Sequence, residues 1–254
     1  MNAFKRLLID AAGGPPPAGV WIMSASPLVA EAIGYAGFDW GVIDMEHSPL
    51  DMMEVVHMLQ AVSATRLVPV VRVPWNDSVM VKRVLDAGAA TVLFPFVQTE
   101  AEAQRAVAAT RYPSGGHRGI AAMSRASRFG TTPDFITGAN EHVGVIVQLE
   151  TAEALDRLDA IAGVAGIDAL FIGPADLSAS MGHVGELMHP AVLEATRAAV
   201  GRAKAIGKPI GTLGGTPEAV AQYCQMGFDY VAIGSDLGLL MRSAQSALAA
   251  MRRT

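Results

Sequence analysis

The chain of 254 residues is short of the residues that several common chemistries require. Its single cysteine, Cys224, cannot form an internal disulfide, and no Cys-x-x-Cys pair is present to hold zinc or run redox chemistry. Of its four lysines, Lys5, Lys82 and Lys204 fall in helical stretches and Lys208 precedes a strand, which counts against Schiff-base catalysis. Aromatic residues make up 6% of the chain, too few for the stacked platforms of a sugar cleft. Charged residues make up 17% and the net charge is −5, so the clustered basic patch of a nucleic-acid surface is missing. There is no Walker loop and no Gly-x-Gly-x-x-Gly fingerprint. No uninterrupted apolar stretch approaches the roughly 20 residues of a membrane span. Residues 1–10 read as a short amphipathic helix, because Asp10 interrupts an apolar run already too short for a signal peptide. Neither nucleic acid nor membrane is expected as a partner, and a reducing cytoplasm fits the cysteine count.

Hydrophobic residues, by contrast, make up 51% of the chain, enough for one large core. A weak repeat shows how that core is organised. In each copy a small residue and a glycine end a helix, and an apolar strand follows: Ala36-Gly37-Phe38-Asp39, Ala87-Gly88-Ala89-Ala90, Ala165-Gly166-Ile167-Asp168 and Met226-Gly227-Phe228-Asp229. Glycine is the usual left-handed cap of a helix C-terminus. The runs that follow are almost wholly apolar, as in parallel strands buried on both faces. Eight such strands are predicted, near 18–23, 39–46, 67–73, 91–97, 143–150, 167–173, 209–213 and 230–235. Helix-period segments separate them, among them 26–36, 49–62, 77–87, 99–110, 190–206 and 217–226. Eight β-α units in about 250 residues predict an α/β protein of TIM (β/α)8 barrel type, a single domain over 1–254. Residues 111–141 break the rhythm, and their length suggests a lid or interface at the catalytic face.

In such a barrel, polar residues at strand C-termini are the candidates for catalysis. Those ends supply Asp44, Glu46 and His47, Arg72, Gln148 and Glu150, Asp176, and Ser235 with Asp236. Glu150 and Asp176 lie about one β-α-β step apart, so on neighbouring parallel strands roughly 4.8 Å apart both would reach one rim. Two carboxylates that close repel, and a divalent cation between them is the simplest remedy. Oxygen ligands suit magnesium, manganese or cobalt better than structural zinc. Rival readings are an Asp176 that merely caps the helix after it, a glycosidase acid/base pair, and a phosphate site at Gly214-Gly215 or Gly234-Ser235. His47 is the candidate acid/base, since an imidazole ordinarily titrates near neutrality. Arg72 needs an anion, either a substrate carboxylate and its enolate or a nearby glutamate.

The segments Ile43-Asp44-Met45-Glu46-His47-Ser48-Pro49, Val70-Val71-Arg72, Val147-Gln148-Leu149-Glu150 and Phe171-Ile172-Gly173-Pro174-Ala175-Asp176-Leu177-Ser178 resemble, in this order, the HpcH/HpaI-type class II pyruvate aldolases. Gly116-His117-Arg118-Gly119 and Arg125-Ala126-Ser127-Arg128 are similar to that family as well. The resemblance implies a barrel that assembles as a homohexamer, with an exchanged C-terminal helix. It implies a divalent metal (Mg²⁺, Mn²⁺ or Co²⁺) on Glu150 and Asp176, and reversible cleavage of a 4-hydroxy-2-oxo acid to pyruvate and an aldehyde. It makes Arg72 the stabiliser of the pyruvate enolate and His47 the acid/base, paired with an aspartate matching Asp86. Gln148, Ala175, Asp44 and Leu213 become substrate-binding positions. Asp86 closes a helix, which puts it at the far end of its own barrel, so either a neighbouring subunit supplies it or the pairing does not form.

Overall fold

A computed structural model describes residues 1–253. The strands are β1 (Ala18–Ile22), β2 (Trp40–Asp44), β3 (Val68–Arg72), β4 (Thr91–Phe94), β5 (Gly144–Leu149), β6 (Ala169–Ile172), β7 (Ile210–Leu213) and β8 (Tyr230–Ser235). All pair in parallel in chain order, and β8 pairs with β1, so the sheet closes into a barrel. The helices are α1 (Ala3–Asp10), α2 (Pro27–Tyr35), α3 (Met52–Val62), α4 (Ser78–Asp86), α5 (Glu100–Thr110) and α6 (Phe135–His142). They continue with α7 (Ala152–Asp156), α8 (Leu158–Gly163), α9 (Pro174–Ser180), α10 (Pro190–Ala205), α11 (Pro217–Met226) and α12 (Asp236–Met251). Side-chain oxygens of Ser26, Asp77, Thr99, Thr151, Thr216 and Ser235 cap six of them.

Strand alternation divides the core in two. Val20, Ile43, Val71, Val92, Val147 and Ile172 face outward into the layer shared with the helices. Trp21, Trp40, Val42, Val70, Leu93, Ile146, Phe171 and Tyr230 fill the barrel itself. Two glycines make room for that interior. A Cβ on Gly19 would lie 2.1 Å from the Trp40 indole, and one on Gly211 would lie 2.2 Å from the Tyr230 ring. Phe4 of α1 plugs the end of the barrel at which the strands begin, edge-on to Trp40 and Tyr230. Burying a side chain of that size contributes roughly 2–3 kcal/mol.

At that same end the repeated motif has a function that periodicity could not show. The Asp39 carboxylate accepts the Ala18 N–H at 2.8 Å, and its own N–H donates to the Ala18 carbonyl at 2.9 Å. Asp168 holds Val145 in the same way (2.8 and 2.9 Å), and Asp229 holds Ile210 (2.9 Å both ways). Each aspartate thus staples the start of its strand to the start of the strand before. The fourth copy has Ala90 in that place. The β3–β4 register puts Pro69 opposite, and proline has no N–H to donate. There Asn2 takes over, its amide donating to the carbonyls of Ala90 and His142 at 2.8 and 2.9 Å.

One expectation is corrected here. The long segment after residue 110 does not lie at the catalytic face. It follows α5, and helix α5 has already carried the chain to the end where strands begin. Arg111 there donates to the Gly166 carbonyl, Arg125 to that of Ala87, and Arg118 pairs with Asp86. The end of the segment, 135–142, is helix α6.

Candidate active site

Asp44, Arg72 and Gln148 share the inward parity of the residues that fill the barrel. At the last rung of their strands the interior gives way to a cavity of about 370 Å³. Arg72 is held from two sides. Its Nε and Nη2 donate to the two Asp44 oxygens at 2.8 and 2.7 Å, and Asp44 is fully buried. Its Nη1 lies 2.8 Å from Glu46 Oε2, off the N–H axis, so that oxygen has an ion-pair contact but no hydrogen-bond donor. The Trp21 ring lies 5.6 Å from the guanidinium carbon. The fork of Arg72 is therefore fixed before any ligand arrives. Asp44 spends both oxygens on this grip and on the Glu46 N–H, which makes it a positioning residue for Arg72.

Glu150 follows β5, and continuing the β5–β6 register sets it beside Gly173. Its Oε1 accepts the Phe96 N–H at 2.7 Å and its Oε2 accepts from Gln148 Nε2 at 2.6 Å. A Cβ on Gly173 would lie 2.6 Å from Glu150 Oε2 and 2.8 Å from Gln148 Nε2, so only glycine leaves this carboxylate its space. Gln148 Oε1 is buried without a partner. Burial first, then the negative charges of Glu46 and Asp176, push the Glu150 carboxyl up to about 7, against the Phe96 and Gln148 hydrogen bonds. Burial also raises the Glu46 carboxyl, opposed chiefly by Arg72, with Asp44 and Asp176 adding to the rise. Asp176 stands in the first turn of α9, whose N-cap is Gly173, so it does not cap that helix. Four acids thus crowd one rim around one arginine. Their excess negative charge and hard oxygen donors match a divalent cation. Glu150 and Asp176 are the members left over once Arg72 has taken Asp44 and Glu46.

The other residues proposed from the sequence divide. His47, Ala175 and Leu213 line the same cavity. The His47 side chain is 62% exposed, with Nε2 4.0 Å from Glu46 Oε2. Asp86 is elsewhere: at the end of α4, 2.8 Å from Nη2 of Arg118, on the opposite face of the barrel. Sequence reading missed the lining residues Leu187 and Arg242, because neither lies at a strand end. Leu187 belongs to a loop where His183 and His189 stack (3.4 Å between ring centres) beside Glu186.

Residues 18–243 match the sequence profile of the HpcH/HpaI aldolase/citrate lyase family. The chain belongs to this family. Membership makes it a lyase, and two of its similar relatives are named as aldolases. A 2-dehydro-3,6-dideoxy-6-sulfogluconate aldolase of Pseudomonas putida is 48% identical over 236 residues, covering 93% of this chain and 92% of the relative. A 5-keto-4-deoxy-D-glucarate aldolase of Salmonella newport is 44% identical over 244 residues, covering 96% and 94%. The solved HpcH/HpaI aldolase/citrate lyase family protein from Burkholderia cenocepacia superposes with a TM-score of 0.94 at 40% identity, covering 99% of this chain and all of that one.

Proposed function

We propose that the protein is a divalent-metal-dependent aldolase that reversibly splits a 4-hydroxy-2-oxo acid into pyruvate and an aldehyde. The observation that carries this is the surplus of acid at the rim beside a preset arginine. Glu150 and Asp176 would hold the cation, Mg²⁺, Mn²⁺ or Co²⁺, with Gln148 beside them. Bound there, it supplies a Lewis acid for the keto oxygen of a 2-oxo acid. Arg72 presents its guanidinium to the oxygen that gains charge as pyruvate becomes its enolate. His47, at the cavity mouth, accepts the C4 hydroxyl proton in cleavage and returns it in condensation. The Ala175 backbone and Leu213 shape the bed of the substrate.

The family pairing of His47 with Asp86 then requires an assembly, since Asp86 of the same chain sits on Arg118. Such an assembly, a homohexamer with exchanged C-terminal helices, is supported by α12, which presents Leu237, Leu240, Met241 and Leu248 to solvent. No described helix is long and apolar enough to cross a membrane, and we place the enzyme in the cytoplasm. As to the aldehyde, the motifs resemble those of 4-hydroxy-2-oxoheptanedioate aldolases of aromatic catabolism. The relatives are named instead for sulfogluconate and glucarate derivatives, sugar acids with an anion at each end.

The test is proton exchange at the pyruvate methyl group, followed by NMR in deuterated buffer. EDTA should abolish exchange, and Mg²⁺, Mn²⁺ or Co²⁺ should restore it. Full exchange in chelator, or borohydride trapping of pyruvate on the protein, would refute the proposal.

A further inference from the structure

Apart from His47, the cavity is lined by two cations, and they are treated differently. Arg72 is neutralised by Asp44 and Glu46. Arg242, in the second turn of α12, lines the same cavity and has neither an ion-pair nor a hydrogen-bond partner among the described residues. The nearest acid in sequence, Asp236, has both oxygens taken by the N–H groups of Met23, Ser24 and Leu237. Arg242 itself is exposed. Its guanidinium lies over two glycines: a Cβ on Gly234 would lie 3.2 Å from Nη2, and one on Gly238 would lie 3.5 Å from Nη1. Gly234 also has a φ of +95°, a conformation that itself favours glycine.

Its place round the barrel matters too. Arg242 stands at the end of β8, three strands from β5, which carries Glu150. Trp21, Phe171, Leu187 and Leu213 line the cavity and carry no charge. A substrate whose 2-oxo acid end lies at Arg72 and Asp176 would thus meet apolar walls and then one unspent guanidinium.

We infer that Arg242 binds an anionic group at the aldehyde end of the substrate, so that the substrate is a 4-hydroxy-2-oxo acid with a second carboxylate or a sulfonate at its far end. This rests on the aldolase reading above. A planar guanidinium fork accepts either anion, and a charge-assisted bond of this kind discriminates by about 10- to 100-fold.

The experiment is condensation of pyruvate with four aldehydes by the Mg²⁺-loaded full-length enzyme: succinic semialdehyde and sulfoacetaldehyde against butanal and glycolaldehyde. The quantity read is the ratio of kcat/KM for the anionic pair to that for the neutral pair. Wild type should favour the anionic pair, and whichever of the two is preferred identifies carboxylate or sulfonate. Arg242→Ala should lower the ratio by about 10- to 100-fold, and Arg242→Lys should recover part of it. Independently of any variant, raising ionic strength should lower the wild-type ratio, because salt screens the charge that selects the anion. A ratio unchanged by Arg242→Ala, or a wild type that prefers neutral aldehydes, overturns the inference and leaves the aldolase reading standing. Wild type that exchanges no pyruvate protons with any of the three metals overturns both.

Discussion

The two ends of this barrel handle negative charge in opposite ways. Where the strands begin, Asp39, Asp168 and Asp229 each meet a backbone N–H of the neighbouring strand, and Lys5 joins Asp168 at 2.7 Å. Asp86 there meets Arg118. Where the strands end, Asp44, Glu46, Glu150 and Asp176 crowd together around one clamped arginine, and the carboxyls of Glu46 and Glu150 are raised, first by burial and then by their acidic neighbours. The same residue types thus make staples at one end and an unneutralised cluster at the other. The difference lies in the partners. An acid whose lone pairs are filled by the protein is structure, and an acid left facing other acids needs something from outside.

Arg72 tests this contrast most severely. Arg72→Ala removes the cation that pairs with a fully buried Asp44, and breaking such a pair costs about 3–5 kcal/mol. It also removes the group offered to the enolate, and loss of such a donor lowers kcat by about 10²–10³. Urea unfolding should show the first effect and pyruvate proton exchange the second. Arg72→Lys should recover stability better than activity, since an ammonium cannot replace the fork. A variant with wild-type stability would show that Asp44 does not depend on Arg72.

Glu150 offers a sharper test through pH. Its folded carboxyl titrates near 7 against 4.5 ordinarily. A raised carboxyl stabilises the metal-free fold below about pH 4.5, where both states are protonated. That contribution is lost as pH rises to 7, because the unfolded chain ionises more readily. The loss is of order 3 kcal/mol by pH 8. Metal-free wild type should therefore lose more stability than Glu150→Gln between pH 5 and pH 8, and Mg²⁺ at pH 8 should return it, because cation binding favours the charged form. Parallel pH profiles for the two proteins would mean that Glu150 feels no excess charge.

What could be read from the sequence follows from the same geometry. Parallel strands all finish at one rim, so the placement of Arg72, Gln148, Glu150 and Asp176 needed only strand ends. The eight-stranded barrel needed only the recurrence of apolar runs. Three features were out of reach for identifiable reasons. The role of the repeated aspartate depends on register, which brings Asp39 opposite Ala18 but Ala90 opposite Pro69. Arg242 sits on a helix beyond the last strand, and its side chain lies over Gly234 and Gly238 at the cavity, a placement that strand ends do not reveal. The segment after residue 110 lies where the strands begin, which its length does not reveal, because α5 runs back along the barrel before it. That helix alone decides at which end the chain emerges.

The smallest effect is expected at the stapled end. Asp229→Ala removes the acceptor of the Ile210 N–H, in a residue that is itself fully buried at the start of β7. The backbone pairing of Asp229 N–H with the Ile210 carbonyl survives the substitution, so only one hydrogen bond is lost. One unsatisfied donor costs about 1–2 kcal/mol. Asp229→Asn should cost less, because the amide oxygen still accepts, and neither change should move kcat, since the staple lies at the far end of the barrel. Thermal unfolding and aldol cleavage measured on the same preparations separate the two readouts. A drop in kcat for Asp229→Ala without a drop in stability would mean that the two ends of the barrel are coupled, and the division between stapled acids and chemical acids would fail.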